Sequence, residues 1–326
     1  MTGACGVEEF RVSAPDGVEV AVRDYGGDGP PLLLLHGAGR TLEDWALVGP
    51  LLAGRHRVVA MDLRAHGLSG GGHGTWTFAM VVADVAAVLE RCGIPDAVVV
   101  GHSLGGMVAA LCLEGVEGAA GAPAAVNLDG HGMGRPEQYV GLERGYVVQR
   151  MREAREFAEA AMGRPLPGGG LEGVLAYNAT MGDELGVAGG LLEAGVRRSV
   201  GESEDGQVYL RPERVAGLGM QEAMAGIDLF ALYRRVRRPL MIARALRPNP
   251  STPGLPWVDE LMAAYVKGLH ADLDELARTQ PWVEVAGVEA THAMLLERPR
   301  EVAELVAAFV ARVAAPGGTG AGSQRG

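Results

Sequence analysis

The sequence predicts an α/β protein with a mostly parallel sheet covered by helices on both faces. Three observations carry this. Short apolar runs such as "PPLLLLHG", "AVVVGH" and "AAVNLD" lack polar alternation, so both faces of those strands are expected to be buried. Segments with apolar residues spaced three and four apart lie between them, as in "TWTFAMVVADVAAVLERCG". Glycines punctuate the junctions, as expected where strands and helices alternate.

In chain order, residues 8–25 read as a hairpin, because "EEFRVSA" and "VEVAVRDY" alternate with period two around "PDG". A strand follows in "PPLLLLHGAG", then a helix in "EDWALVGPLLAG" ending at Gly54. "HRVVAMDLRAHG" is a further strand and loop, and "TWTFAMVVADVAAVLERCG" a helix that stops at Gly93. "DAVVVGHSLGG" is a buried strand, "MVAALCLEG" the helix after it, and "AAVNLD" the next strand. From Gly132 to Arg235 the pattern breaks into helix-like segments without a buried strand. The sheet resumes with "RPLMIARA", a helix around 257–278, the strand "WVEVAG" and a last helix in "PREVAELVAAFVARV". The division is therefore 1–131 as the first part of the core, 132–235 as a mainly helical insertion, 236–313 as the second part of the core, and 314–326 as a disordered Gly-rich tail.

Composition narrows the function. At 326 residues with 48% apolar content, the chain can bury a large core. A formal net charge of −11 disfavours nucleic acid and anionic membranes as partners. No apolar run reaches spanning length, and the N-terminus lacks the basic and apolar regions of a signal peptide, so a cytoplasmic location is expected. Cys5, Cys92 and Cys112 are too few and too dispersed for a disulfide framework or a zinc site. No His/Asp cluster has metal-ligand spacing, so neither metal nor organic cofactor is expected.

Chemistry concentrates at three places. "VVVGHSLGGMVAA" matches G-x-S-x-G, with Ser103 between a buried strand and an apolar helix. Gly101 and Gly105 leave room for a sharp turn that exposes the serine hydroxyl at a helix N-terminus, where the dipole favours a developing anion. "LLLLHGAG" ends a strand in His36, Gly37, Ala38 and Gly39. The N–H of Ala38, with that of Leu104, is the expected oxyanion hole. His36 is read as fixing this loop, at the edge of a substrate site that also takes in Gly37, Trp45 and Met133. "VEATHAMLLERP" places His292 after the last strand, where a loop can lay an imidazole over the serine. The other histidines compete poorly: His56 and His73 read as surface loops, His270 as helical, and His102 as pointing away from the serine beside it. His66 is placed to help shape the pocket, and His131 has no assigned role.

Taken together, "HGAG" with Trp45, "DLRAHGLS", "GHSLGG" and "THAMLLERP" resemble the α/β-hydrolase superfamily, in its esterase, lipase and cofactor-free haloperoxidase-like branch, over residues 20 to 313. The resemblance implies a mostly parallel eight-stranded sheet flanked by helices, with a cap inserted after the sixth strand. It also implies a serine nucleophile, a general-base histidine and an acid. Many relatives carry that acid after the seventh strand, but "PLMIARALRPNPSTPG" contains none. Others carry it at the end of the sixth strand, where Asp129 stands, and the order Ser103, Asp129, His292 is kept. The plain alternative for Asp129 is a turn cap before Gly130, and Asp62 of "DLRAHG" is the next candidate acid.

The expected function is hydrolysis of a small-to-medium ester, thioester or lactone through an acyl-enzyme. The same scaffold serves C–C bond hydrolysis, acyl transfer or cyclisation, or a non-catalytic ligand-binding protein. Relatives that open epoxides or remove halogen carry Asp at the Ser103 position, which disfavours those reactions. The expected partner is a small-molecule substrate, with a homodimer compatible with an exposed cap. Of thirteen methionines, Met133, Met151, Met162, Met181, Met220 and Met224 fall in or beside the cap, as pocket lining or as packing filler.

Overall fold

The computed structural model describes residues 7–71, 75–115, 121–203, 205–252 and 254–315. Cys5, His73 and residues 316–326 of the expected tail lie outside the described residues. The first half of the chain supplies β1 (Glu8–Ser13), β2 (Glu19–Gly26), β3 (Pro31–Leu35), α1 (Val48–Ala53), β4 (Arg57–Met61), α2 (Phe78–Arg91), β5 (Val98–His102), α3 (Leu104–Cys112) and β6 (Ala125–Leu128). An insertion follows: α4 (Arg144–Ala161), α5 (Gly170–Leu185), α6 (Gly189–Arg198), β7 (Val200–Glu202), β8 (Val208–Leu210), α7 (Arg214–Gly226) and α8 (Leu229–Arg235). The chain then returns through β9 (Leu240–Ala245), α9 (Pro256–Thr279), β10 (Val283–Val288), α10 (Met294–Glu297) and α11 (Pro299–Ala314).

Eight strands form one sheet in the order β1-β2-β4-β3-β5-β6-β9-β10. β1 and β2 pair antiparallel and β2 runs antiparallel to β4; every later pair is parallel. The apolar runs are buried on both faces because successive residues feed opposite sides. Leu33, Leu35, Val99 and Ile242 join the core under α2, α3, α8 and α9. Leu32, Leu34, Val98, Val100 and Met241 join the core under α1 and α11.

Two local expectations are corrected. The single helix expected over "EDWALVGPLLAG" is broken into a 3-10 turn, Leu42–Trp45, and α1. Pro50 explains the break: it lacks an N–H and its ring collides with the carbonyl four residues back, so it tolerates only a first helical turn. His56 is buried rather than on the surface, with Nδ1 3.2 Å from the Pro30 carbonyl.

The insertion is anchored to the core by arginines. From the end of α6, Arg198 Nε donates to Asp62 Oδ2 at 2.8 Å, and its Nη1 reaches Glu9 at 3.0 Å. Arg211 donates to the Gly67 and Ser69 carbonyls at 2.6 and 2.8 Å. Asp62 is fully buried and also accepts from the Leu42 and Leu68 N–H groups, at 2.8 and 2.9 Å. α8 packs on α3 and buries Phe230 and Tyr233, so the chain re-enters the core layer before β9 begins.

The carboxyl ends of the strands collect four buried imidazoles: His36 after β3, His66 in the loop after β4, His102 closing β5, and His131 after β6. Burial disfavours their charged forms. His66 is pushed down to about 3, His102 and His131 to about 4, and His36 also below its ordinary value. The unfolded chain binds protons at these sites from about pH 6.5 downward, while the folded chain resists until near pH 4. Stability is therefore complete above about pH 6.5 and falls through this window. Urea denaturation at pH 7 and pH 5 should show a loss on the order of 5 kcal/mol at the lower pH. Equal stability at the two values would contradict the burial of these rings in their neutral form.

Candidate active site

The site begins with a backbone that turns too sharply for an ordinary residue. Ser103, between β5 and α3, sits at φ 54°, ψ −118°. Such a conformation costs roughly 1–3 kcal/mol and must be held by its surroundings. Here Ser103 N–H donates to the Leu128 carbonyl at 2.9 Å, and Gly105 N–H donates to that of His36 at 3.1 Å. The glycines are required by close approach: a Cβ at Gly101 would lie 1.9 Å from the Gly105 oxygen, and one at Gly105 2.3 Å from that of Leu35. The turn sets the serine at the N-terminus of α3. There the first N–H groups, that of Leu104 among them, have no intrahelical acceptor.

Asp129 follows β6, also at positive φ (55°). Its Oδ2 lies 2.7 Å from His292 Nδ1. A carboxylate only accepts, so His292 carries its proton on Nδ1 and presents Nε2 as an acceptor. Asp129 Oδ1 accepts from the Ala245 N–H at 3.0 Å, and Asp129 N–H donates to the Ala243 carbonyl at 2.8 Å. Burial pushes the carboxyl pKa up, but the His292 bond, the nearby His131 and the Ala245 N–H outweigh it. The net effect holds Asp129 below the usual carboxylate range. The His292 peptide is fixed as well. Its N–H donates to Asn249 Oδ1 at 3.1 Å, and its carbonyl accepts from His102 Nε2 at 2.8 Å. The neighbouring Thr291 hydroxyl donates to Glu297, which also pairs with Arg247.

Ser103 and His292 line one cavity of about 420 Å³. Gly37 and Ala38 form its wall beside the serine, and Arg40, paired with Asp44 at 2.5 Å, stands next to them. The insertion closes the far side with Tyr177, Asn178, Met181 and Leu185 from α5 and Leu192 from α6. Leu295 and Leu296 extend the apolar lining. Among the described residues no hydrogen bond joins Ser103 Oγ to His292, and no cluster of His, Cys, Asp or Glu is placed to hold a metal ion.

Of the residues expected in the site, Ser103, His292, Gly37 and Ala38 line the cavity, and Asp129 meets His292 from behind. Three expected substrate contacts are corrected. His36 is fully buried; Nδ1 contacts the Gly37 carbonyl at 2.8 Å, and Nε2 accepts from the Leu63 N–H at 2.9 Å, so it braces the loop instead of touching the cavity. Trp45 is fully buried among core residues of α1 and α11. Met133 is exposed and away from the cavity; of the six methionines, Met181 alone is part of its lining. His66 packs edge-on against His36 at 5.3 Å and does not shape the pocket. His131 lies behind Asp129, with Nε2 3.9 Å from Oδ1. Two contributors were not read from the sequence. Asn249 lies in the acid-free segment "ALRPNPSTPG", where no residue type signals a contact to His292, and His102, expected to point away from the serine, meets the His292 carbonyl.

Residues 32–305 match the alpha/beta hydrolase family. A non-heme haloperoxidase of Rhodococcus erythropolis is 41% identical over 99 residues, 29% of this chain. A bifunctional esterase/perhydrolase of Acinetobacter calcoaceticus is 41% identical over 100 residues, again 29% of this chain. Each match spans 35% of the relative's own length. Among solved structures, an E-2-(acetamidomethylene)succinate hydrolase aligns over 94% of this chain and 100% of its own, with a TM-score of 0.66 at 20% identity, a likeness of fold. With the family match covering most of the chain and the eight-stranded sheet in place, this protein belongs to the alpha/beta hydrolase family.

Proposed function

We propose that this alpha/beta hydrolase is a serine esterase-type enzyme acting on a small-to-medium carboxylic ester, thioester or lactone. The observation that carries the reading is the 2.7 Å contact between Asp129 and His292 Nδ1, with Nε2 left as the acceptor of a histidine that shares a cavity wall with Ser103. The partly matching esterase/perhydrolase and haloperoxidase relatives support the same class.

In this reading His292 Nε2 takes the hydroxyl proton as Ser103 Oγ attacks the substrate carbonyl. The bond from proton donor to acceptor forms as the substrate seats, since such contacts are commonly loose in free enzymes. The carbonyl electron pair moves to oxygen, and the resulting oxyanion accepts from the N–H groups of Ala38 and Leu104, each contributing on the order of 3–4 kcal/mol. Asp129 orients the imidazole and stabilises its charged form. When the tetrahedral species collapses, the alkoxide or thiolate leaves with the proton from His292. Water then adds by the same route, and the acid is released. The insertion acts as the cap: Tyr177, Met181, Leu185 and Leu192 give an apolar wall suited to an acyl or alkyl arm.

A fluorophosphonate probe should label the wild type at Ser103 and leave Ser103→Ala unlabelled; a wild type that resists labelling contradicts the nucleophile assignment. Asp129→Asn should fold normally and lower kcat by about 10,000-fold. Asp62→Asn should do the reverse. It should keep kcat within the same order of magnitude while losing about 3 kcal/mol of stability, because Arg198 loses a buried counter-charge. A comparison of kcat with the urea midpoint in the two variants separates the acids, and the opposite pattern would move the catalytic role to Asp62. Met181→Trp should lower kcat/KM for hexanoyl relative to acetyl nitrophenyl esters by about tenfold. An unchanged chain-length profile would place the acyl arm elsewhere.

A further inference from the structure

We propose that His102 is a positioning residue for His292: it holds the base's peptide by a hydrogen bond and supports its ring by direct contact. This rests on the esterase reading above, in which His292 is the general base.

His102 immediately precedes Ser103, so any force it exerts on His292 links base and nucleophile through one peptide. Its Nε2 lies 2.8 Å from the His292 carbonyl oxygen. A carbonyl oxygen only accepts, so His102 is the Nε2–H tautomer. The two rings face each other with centroids 4.7 Å apart and planes tilted by 41°. Asn249 holds the N–H of the same residue, so the His292 peptide is clamped at both its amide and its carbonyl. The ring is free to rotate only about its own side-chain bonds, between Asp129 on one side and the His102 face on another.

The remaining nitrogen shows that this is not packing alone. His102 Nδ1 is buried without a partner, beside the Gly37 backbone, where a Cβ would come within 3.5 Å of it. A stranded buried acceptor is a net cost to the fold, which an apolar side chain of similar shape would avoid. What the imidazole adds is the Nε2 donor. The groups acting on its charge are His292, Asp44 and Asp129. Burial, then the neighbouring His292, holds His102 down to about 4, so it is neutral at pH 7. A neutral ring next to His292 adds no second positive charge when His292 takes up the serine proton.

The test uses the intact chain and two variants. His102→Phe keeps a ring and deletes the donor. His102→Gln restores a donor at about the Nε2 position without the ring. Misplacement of a reacting group by about 1 Å costs up to about 100-fold in rate, so His102→Phe should lower kcat by about 30-fold. KM should stay within twofold, the fluorophosphonate labelling rate of Ser103 should fall in parallel, and His102→Gln should recover most of the loss. Independently of any variant's folding, ¹⁵N-histidine NMR of the wild type should show His102 as the neutral Nε2–H tautomer at pH 7. The proposal is overturned if His102→Phe matches the wild type, if His102→Gln is no better than His102→Phe, if KM alone changes, or if the spectrum shows an Nδ1–H tautomer. A wild type that fails to label at Ser103 overturns the esterase reading itself, and with it the purpose assigned to His102.

Discussion

The site depends on one constraint, the left-handed turn at Ser103. A residue with a side chain does not hold φ 54° unless its neighbours compensate, and the two that do so here each stand next to a residue of the site. The Ser103 N–H is taken by Leu128, the residue before Asp129, and the Gly105 N–H by His36, the residue before Gly37. The turn therefore fixes the serine against both the end of β6 that leads to Asp129 and the start of the Gly37–Ala38 loop. Gly101 and Gly105 are the condition for this, since any side chain there would drive β5, α3 and β3 apart.

Around that turn the charge distribution is arranged in layers. Asp129 keeps its charge despite burial because His292 and the Ala245 N–H stabilise it. The imidazoles at the strand ends are neutral because burial outweighs every nearby carboxylate. A single anion thus stands behind His292, among rings that stay uncharged. The Arg40–Asp44 pair puts two opposite charges on the cavity wall, close enough to cancel at a distance.

Much of this was legible in the sequence, for identifiable reasons. The parallel strands were visible because burial on both faces removes polar alternation from "PLLLL" and "VVVGH". Ser103 and the Gly37–Ala38 loop are visible because each lies at a strand end beside glycines, and His292 because it lies in the loop between the last strand and the final helices. Asp129 came into view through the absence of any carboxylate after β9, and its contact with His292 follows from β6 and β9 being adjacent in the sheet. Pocket walls were less legible. Trp45 and His36 are near Ser103 in the chain's folded order but face the core, and no one-dimensional pattern reports which way a loop residue turns. Met181 was indistinguishable by residue type from five other methionines, because helices of an insertion take their orientation from tertiary contacts and not from local spacing. The contact of His102 is hidden from sequence because consecutive side chains diverge at a turn, and it is the chain of His292, distant in sequence, that comes to meet it.

Asp62 gives the insertion a mechanical meaning. One buried carboxylate receives the N–H of Leu42, just beyond the Gly37–Ala38 loop, and the guanidinium at the end of α6. The insertion that walls the cavity and the chain segment after the Gly37–Ala38 loop thus share a fastening. A displacement of α6 that withdraws Arg198 would strip a buried anion of its cationic partner, so the core itself resists movement of the insertion. The wall that the insertion gives the cavity is in this way held in place by a charge pair inside the core and not by the cavity's own lining.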